Sequence, residues 1–380
     1  MNHKERKSAV FTLLLLIVVF AAIDLLLGLF LIPQNFNHFR VRNTRFHHGL
    51  KKYVSANAGW GPLIYRFYTN NLAFRDVSVR EVDLISDKRR ILILGDSHSE
   101  GVGIDYRFTF AGRLQESGEK FDIEILNASA VSYSPKIHFL KADYLLNKMK
   151  LKVNEIWVVI DISDLQNEIA YQSFSSTEQK WYASVQEKFS RFFHKHSFTV
   201  FSISGIKEKK KTEIFNETLL GLKQQTGSLP NRNTLELYKE FFRTFEDEDL
   251  LKNPDFHAVS EWIYNEQLRD LADLGLKLGF ENISKLNQLC SDQNIKLRLS
   301  VHPWQTQVLK GDTTDYYVEN WRKFCQQENI DFINLYPVFI NEENPLWIAQ
   351  TCYIEGDNHF NETGHKRVAQ YLSKYLNVQQ

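Results

Sequence analysis

ILILGDSHSEGVG, residues 91–103, is the segment around which the predicted fold is organised. Its first four residues are apolar, and they predict a short strand that is buried on both faces. Gly95-Asp96-Ser97 follows at once, so the strand ends in a tight turn that leads into a helix. Ligands of α/β sheets bind beyond the carboxyl ends of the strands, so this turn suits Ser97 as a nucleophile. The triplet alone does not establish catalysis, because all three are common turn residues.

Strand and helix segments alternate from residue 88 to the carboxyl terminus, apart from one long interruption. The segment Glu155–Ile160 is almost free of polar residues, as is typical of a central parallel strand. This alternation predicts an α/β domain of three layers, doubly wound and flavodoxin-like, with a mostly parallel sheet. The predicted strands are Ile91–Leu94, Ile123–Leu126, Glu155–Ile160, Lys296–Val301 and Ile330–Leu335, and the predicted helices include Phe108–Leu114, Lys136–Lys150, Thr314–Gln327 and Glu362–Leu376.

Composition limits the class of protein and its partners. The chain has 380 residues, 43% of them hydrophobic and 24% charged, which suits a folded core. Lys plus Arg and Asp plus Glu both number 46, so no basic excess indicates a nucleic-acid partner. The three cysteines allow at most one internal disulfide and match no zinc-binding spacing. The sequence reveals no set of metal ligands, and we expect no cofactor.

The amino terminus predicts a membrane anchor. Residues 9–32 carry one charge, Asp24, and as a helix these 24 residues would be about 36 Å long, enough to cross a bilayer. We expect an uncleaved transmembrane helix preceded by a short cytoplasmic segment, residues 1–8. The basic residues before the span favour an internal amino terminus, which leaves the remainder periplasmic or extracellular. Asp24 is either a helix-contact or interface residue or a functional pairing within the membrane.

Two segments do not follow the strand and helix alternation of the predicted α/β domain, residues 88–380. One precedes the domain and the other is inserted into it. Residues 33–87 hold too few apolar side chains to close a core alone, and we expect them to pack on the main domain as a lead-in. From about residue 165 to about 285 the alternation lapses, and a long, aromatic-rich segment predicts a large helical insertion. Its aromatic residues either seat the insertion on the sheet or cover a site at the strand ends.

A candidate base lies near the carboxyl terminus, in Asp357-Asn358-His359. An acid and a histidine before a capped helix can converge on a serine at the edge of the sheet. His359 would then accept the proton of Ser97 and return it to the leaving group. Asp357 would hold the tautomer of the imidazole.

These motifs resemble those of the SGNH/GDSL hydrolase superfamily, from about residue 88 to the end. The resemblance rests on four blocks in the family's order: Gly95–Ser97, Asn127–Pro135, Asp161–Asp164 and the pair Asp357 and His359. It implies a serine nucleophile at Ser97 and a catalytic acid and histidine at the last pair. The lead-in and the later segments resemble membrane-anchored or secreted bacterial members. The resemblance to those members implies that the substrates are acylated carbohydrates or related esters. It also implies envelope polysaccharide machinery as a possible partner.

The sequence departs from the family at the oxyanion hole. Ser132 stands where the family has a glycine, although its backbone N–H could still donate. Ser163 stands where the family has an asparagine, between two aspartates. Asn127 is a possible substitute donor. In the last block the acid precedes the histidine by two residues instead of three, and Gly356 occupies the usual position of the acid.

Three further side chains are candidates for the same edge of the sheet. Trp304 follows the fourth strand and either stacks on a sugar or acyl group or packs under the insertion. His302 is a poorer candidate for the base than His359, because it lacks a close acidic partner in sequence. His98 follows Ser97 and is placed at the rim of the site or, as we favour, at the start of a helix.

The sequence therefore predicts a membrane-anchored serine esterase or O-acyltransferase that acts on acyl esters, acetyl esters first among them, of envelope or extracellular carbohydrate. The alternative is a non-catalytic scaffold or glycan-binding partner in polysaccharide assembly, which the altered oxyanion positions favour. A Rossmann-type nucleotide binder is disfavoured, because Gly95 lacks the glycine pattern that approaches a pyrophosphate.

Overall fold

The computed structural model describes residues 3–31, 37–176, 189, 192–193, 196–203, 261–264, 266, 269–340, 344–355 and 357–376. The chain divides into two compact units, one of residues 1–35 with 178–228 and one of residues 36–177 with 229–380. Most of the predicted insertion lies outside the described residues.

The first unit contains the amino-terminal helix α1, His3–Leu31. Within Glu5–Leu31 of this helix a window of 18 residues has a mean hydropathy of 3.0 and exposed side chains, so the length and composition of the helix allow a membrane span. A signal sequence has the same properties. Asp24 Oδ1 accepts a hydrogen bond of 2.7 Å from the backbone N–H of Thr199, which makes this carboxylate a helix-contact residue.

The second unit is built on a sheet of eight strands. Five neighbouring strands are parallel, in the spatial order β7-β6-β8-β9-β10. Counted from the first of these strands the order is 2-1-3-4-5, which is the flavodoxin-like order. The predicted α/β fold with a mostly parallel sheet is therefore confirmed. The parallel strands are β6 Arg89–Gly95, β7 Ile123–Asn127, β8 Glu155–Ile160, β9 Lys296–Val301 and β10 Asp331–Asn334.

The lead-in supplies the other three strands of this sheet, all antiparallel. They extend it beyond β7, where Arg75 pairs with Asn127. A separate hairpin precedes them. The lead-in strands are β1 Arg40–Asn43 and β2 His47–Leu50 in the hairpin, then β3 Ser55–Trp60, β4 Leu63–Thr69 and β5 Arg75–Asp76 in the sheet.

Helices pack on both faces of the sheet. The helix after β6 and the last helix contact each other, and the long helix before β9 contacts the helices that follow β7 and β8. The helices of this unit are α2 Ser97–Glu100, α3 Phe110–Glu119, α4 Pro135–Asp143, α5 Ser163–Tyr171, α6 Glu261–Tyr264, α7 Arg269–Ser291, α8 Gln305–Lys310, α9 Tyr316–Gln327, α10 Tyr336–Phe339, α11 Pro345–Cys352 and α12 Glu362–Leu372.

Two arginines of the lead-in form hydrogen bonds with the segment that follows β6. Arg40 forms a bidentate ion pair of 2.6 and 2.7 Å with the buried Glu100. Arg75 is also buried and donates to the carbonyl oxygens of Glu100, Gly101 and Ile104. Cys290 and Cys325 are buried free thiols, and Cys352 is also buried.

Candidate active site

The turn after β6 presents Ser97 at the carboxyl edge of the sheet. Asp96 caps α2 by accepting a hydrogen bond of 2.9 Å from the backbone N–H of His98. Gly95 is required here, because a Cβ at this position would lie 2.2 Å from Ser99 Oγ and 3.0 Å from the carbonyl oxygen of Val159. The close packing around this glycine sets the direction in which the serine leaves the strand.

The segment between α11 and α12 brings His359 to Ser97. His359 Nε2 lies 2.7 Å from Ser97 Oγ. His359 Nδ1 is hydrogen-bonded to Asp357 Oδ1, which also accepts the backbone N–H of His359 at 2.9 Å. With the proton on Nδ1, the imidazole donates to the carboxylate and Nε2 accepts from the serine hydroxyl. The three residues of the predicted triad are thus in hydrogen-bond contact, although they are remote in sequence.

The cap of α12 holds this segment in place. Asn361 Oδ1 accepts the N–H groups of Thr363 and Gly364, and its Nδ2 donates to the carbonyl oxygens of Thr351 and Tyr353. One amide therefore joins the end of α11 to the start of α12. Gly356, at the family's usual position for the acid, lies outside the described residues.

Trp60, at the end of β3, is a site residue that the sequence analysis missed. Its indole N–H donates a hydrogen bond of 2.7 Å to Asp357 Oδ2, and its ring packs edge-on against His359 at a centroid distance of 4.8 Å. Burial raises the pKa of Asp357, but the charge of His359 and the hydrogen bonds from His359 and Trp60 outweigh burial and hold that pKa well below its usual value. The carboxylate therefore stays ionised beside the imidazole. No local sequence pattern links Trp60 to the acid.

Ser132 lies in the loop after β7, next to the turn of Ser97. Its backbone has a φ of 60°, a left-handed conformation in which glycine is favoured. The preceding residues are fixed to the nucleophile turn, because Ala130 N–H donates to Gly95 O at 3.2 Å and Val131 N–H donates to Glu100 Oε2 at 3.0 Å. Within the described chain neither Ser132 N–H nor Ser97 N–H has a protein acceptor, so both remain available for an oxyanion.

The other two candidate oxyanion donors are hydrogen-bonded elsewhere. Ser163 donates to Asp161 Oδ1 through its hydroxyl, at 2.6 Å, and through its backbone N–H, at 2.7 Å. Asn127 Nδ2 donates to the carbonyl oxygen of Ser99 at 2.8 Å. Ser163 therefore orients a carboxylate, and Asn127 supports the turn that carries Ser97.

Trp304, His302 and His98 surround Asp161 in the interior of the domain. Trp304 is 9% exposed, and its indole N–H donates to Asp161 Oδ2 at 2.9 Å, so it packs instead of forming a surface for substrate. His98 is 2% exposed, and its ring stacks on that of His359 at 4.5 Å. His98 therefore lies at the start of a helix, as favoured, and not at the rim, because its side chain points inward. The sequence indicated Asp161 only as part of a family-like block.

Burial dominates the electrostatics around Asp161. It lowers the pKa of both His98 and His302, which keeps the two imidazoles neutral. Burial and the neighbouring charge of Asp161 raise the pKa of Asp96 well above its usual value. The turn that carries Ser97 therefore packs against several buried carboxyl and imidazole groups.

Comparison with protein-family models finds no match, and comparison with curated proteins also finds none. Several solved structures are similar in fold. A protein described as lipolytic and of the G-D-S-L family, from Desulfitobacterium hafniense DCB-2, aligns over 76% of this chain and 99% of its own, with 9% identity and a TM-score of 0.37. The psychrotrophic esterase EstA from Pseudoalteromonas sp. aligns over 77% and 100%, with 12% identity and a TM-score of 0.36.

An acetyl-xylooligosaccharide esterase from Geobacillus, solved as a mutant, aligns over 78% of this chain and 98% of its own, with 11% identity and a TM-score of 0.36.

Proposed function

We propose that this chain is a membrane-anchored serine esterase or O-acyltransferase of the SGNH/GDSL type. One observation supports the proposal above the others. His359 Nε2 lies 2.7 Å from Ser97 Oγ, while the other nitrogen of the ring is hydrogen-bonded to Asp357. A nucleophile, a base and an orienting acid in mutual contact suit acyl transfer through a covalent intermediate.

In the proposed reaction Ser97 Oγ attacks the acyl carbonyl carbon as His359 Nε2 accepts the hydroxyl proton. The tetrahedral intermediate then collapses, the bond to the alcohol oxygen breaks, and His359 protonates the departing alcohol. The acyl group remains as an ester of Ser97. A second hydroxyl compound attacks this ester by the reverse sequence and releases the serine.

We assign the backbone N–H groups of Ser97 and Ser132 to the oxyanion hole and leave Ser163 out of it. Two N–H donors aimed at the developing oxyanion stabilise it electrostatically. A serine in place of glycine at position 132 preserves the donor, because the donor belongs to the backbone.

Labelling of the purified full-length chain in detergent with a serine-directed phosphonate tests the nucleophile. Wild type should be labelled and should hydrolyse an acetyl ester, and Ser97→Ala should lose both properties. Ser117→Ala, which changes a serine on α3, is the control and should retain both. Labelling that persists in Ser97→Ala would refute the proposed acyl-enzyme.

Hydrolysis and transfer differ only in the compound that attacks the acyl-enzyme. Water gives an esterase, and a sugar hydroxyl gives an acyltransferase. Incubation with an acyl donor and a glycan acceptor separates them, because accumulation of acylated glycan identifies transfer. We propose an acylated carbohydrate of the envelope or exterior as the substrate, in keeping with the predicted membrane anchor and an external catalytic domain.

The second candidate is a non-catalytic scaffold or glycan-binding partner in polysaccharide assembly. The hydrogen bonds of Ser163 to Asp161 favour it, since they remove one possible oxyanion donor. On this hypothesis Ser97→Ala would leave cellular function intact.

A further inference from the structure

Three buried side chains at the carboxyl edge of the sheet point their donor atoms at one another. His98 Nε2 lies 3.5 Å from Asp161 Oδ2, and His302 Nε2 lies 3.7 Å from the same oxygen. The three donor atoms all lie within 4.8 Å of one another. The residues follow β6, β8 and β9, which are neighbours in the sheet, so the topology itself brings them together.

These separations are too long for hydrogen bonds and close to those of ligands around one ion. An N–H···O hydrogen bond spans about 2.7–3.2 Å. Zinc bonds to imidazole nitrogen and carboxylate oxygen are about 2.0–2.2 Å long, so two ligands at a tetrahedral angle lie roughly 3.4 Å apart. The two printed distances, 3.5 and 3.7 Å, exceed that value only slightly.

The ring nitrogens of the two imidazoles are buried without a hydrogen bond of good geometry. His98 is 2% exposed and His302 is 1% exposed, and within the described chain no ring nitrogen of either residue has a partner at hydrogen-bond distance and angle. A buried polar atom without a partner carries a desolvation cost. A bound cation would satisfy one nitrogen of each ring.

Three buried carboxyl groups surround the same point. Asp96, Asp161 and Asp164 are at most 2% exposed. Among the described residues no Lys or Arg forms an ion pair with any of them, and Asp161 faces the imidazoles of His98 and His302 instead. Buried carboxylates are usually paired or coordinate a metal.

Hydrogen bonds orient the carboxylate of Asp161. Ser163 donates twice to Oδ1, and Trp304 donates to Oδ2, the oxygen that faces the imidazoles. Such outer-shell donors commonly fix metal ligands. This role accounts for Ser163 and Trp304, two residues that the proposed reaction does not use.

We propose that His98 Nε2, His302 Nε2 and Asp161 Oδ2 bind one divalent transition-metal ion of the zinc type. Two imidazoles and a carboxylate are a ligand set that suits zinc, and a fourth position remains for water or another ligand. Because the site is buried, the ion would enter during folding. It would tie together the three loops that follow β6, β8 and β9. The sequence alone does not indicate this site, because the three ligands come from segments that are far apart in the chain.

Metal content of the full-length chain, purified in detergent without chelator after growth with zinc, tests the site. We expect about one zinc per chain, and zinc X-ray absorption should give imidazole nitrogen and carboxylate oxygen ligands. This measurement needs no variant and no activity. Absence of retained zinc from wild type, together with no d–d absorption band after refolding with Co²⁺, would overturn the proposal.

Substitutions then locate the ion. His98→Phe and His302→Phe keep a ring against Phe360, which packs on both imidazoles at 4.7 and 4.9 Å, and each should lower the zinc content at least tenfold. His138→Phe is the matched control, since His138 is equally buried and unpartnered, and it should retain zinc. If the control loses as much zinc as the two variants, or if the variants retain it in the folded state, the assignment is wrong.

Discussion

The hydrogen bond from Trp60 to Asp357 gives the proposed catalytic acid a donor from a segment far away in sequence. Together with His359 it keeps the carboxylate ionised against the effect of burial. A hydrogen bond to a charged group contributes about 1.5–3 kcal/mol. The position of the acid therefore depends on the lead-in as well as on its own motif.

Trp60→Phe should lower kcat for ester hydrolysis about tenfold with little change in KM, because it removes the N–H donor and keeps a ring beside His359. Steady-state kinetics measure the effect. Trp347→Phe, at a tryptophan that is 49% exposed, is the control and should leave kcat unchanged. Equal kcat values for Trp60→Phe and wild type would show that the indole N–H does not position the acid.

Glu168 makes stability depend on pH. It is buried between α4, α5 and α7, and it accepts hydrogen bonds from Ser134 Oγ at 2.8 Å and Asn282 Nδ2 at 3.0 Å. Burial raises the pKa of Glu168 to about 7 despite these hydrogen bonds. Between about pH 4.5 and 7 the folded chain therefore holds a proton that the unfolded chain has released.

In that window the contribution of Glu168 to the free energy of unfolding should fall as pH rises, by roughly 3 kcal/mol. Glu168→Gln mimics the protonated form and should remove this part of the slope. Denaturant titrations from pH 4.5 to 7.5 measure it, with Glu119→Gln on the exposed end of α3 as the control. Parallel pH profiles for wild type and Glu168→Gln would contradict the assignment.

At the scale of elements, α7 packs directly on α5. A Cβ at Gly275 would lie 2.6 Å from Leu165 O and 2.7 Å from Leu165 Cα. Both are backbone atoms, which cannot turn aside as a side chain can. The glycine thus sets the distance between the two helices.

Gly275→Ala should destabilise the chain by about 1–3 kcal/mol, because overpacking outweighs the higher helix propensity of alanine. Gly279→Ala in the same helix meets side-chain atoms of Trp321 at 3.2 Å and should cost less. Thermal or urea unfolding compares the two. If Gly275→Ala is as stable as wild type, the contact does not constrain α7.

The elements that the sequence predicted best are those with one clear pattern. Glu155–Ile160 is uniformly apolar, and it forms the buried β8 with the predicted bounds. The lead-in strands were missed, although Tyr65 and Phe67 alternate with exposed residues along β4. Their stability comes from pairing with remote strands, which a local pattern does not reveal. The contacts of Trp60 and of Asp161 likewise depend on segments that only the fold brings together.

For the whole molecule, α1 predicts how the chain behaves in a cell. An uncleaved span should keep the protein in the membrane fraction after extraction with alkaline carbonate, and detergent should release it. Amino-terminal sequencing of the mature protein should show that α1 is retained. A protein that is released without detergent and begins within or after α1 would show cleavage instead.

The pairing of β5 with β7 has a practical consequence for any attempt to isolate a minimal catalytic fragment. A cut at residue 88, where the family-like motifs begin, would strip three strands from the sheet and leave β7 as an unpaired border. Bare strand borders recruit other chains, so such a fragment should self-associate. A fragment that begins before Phe39 would avoid that exposure. It would also keep Arg40, which pairs with Glu100, and Trp60, which donates to Asp357.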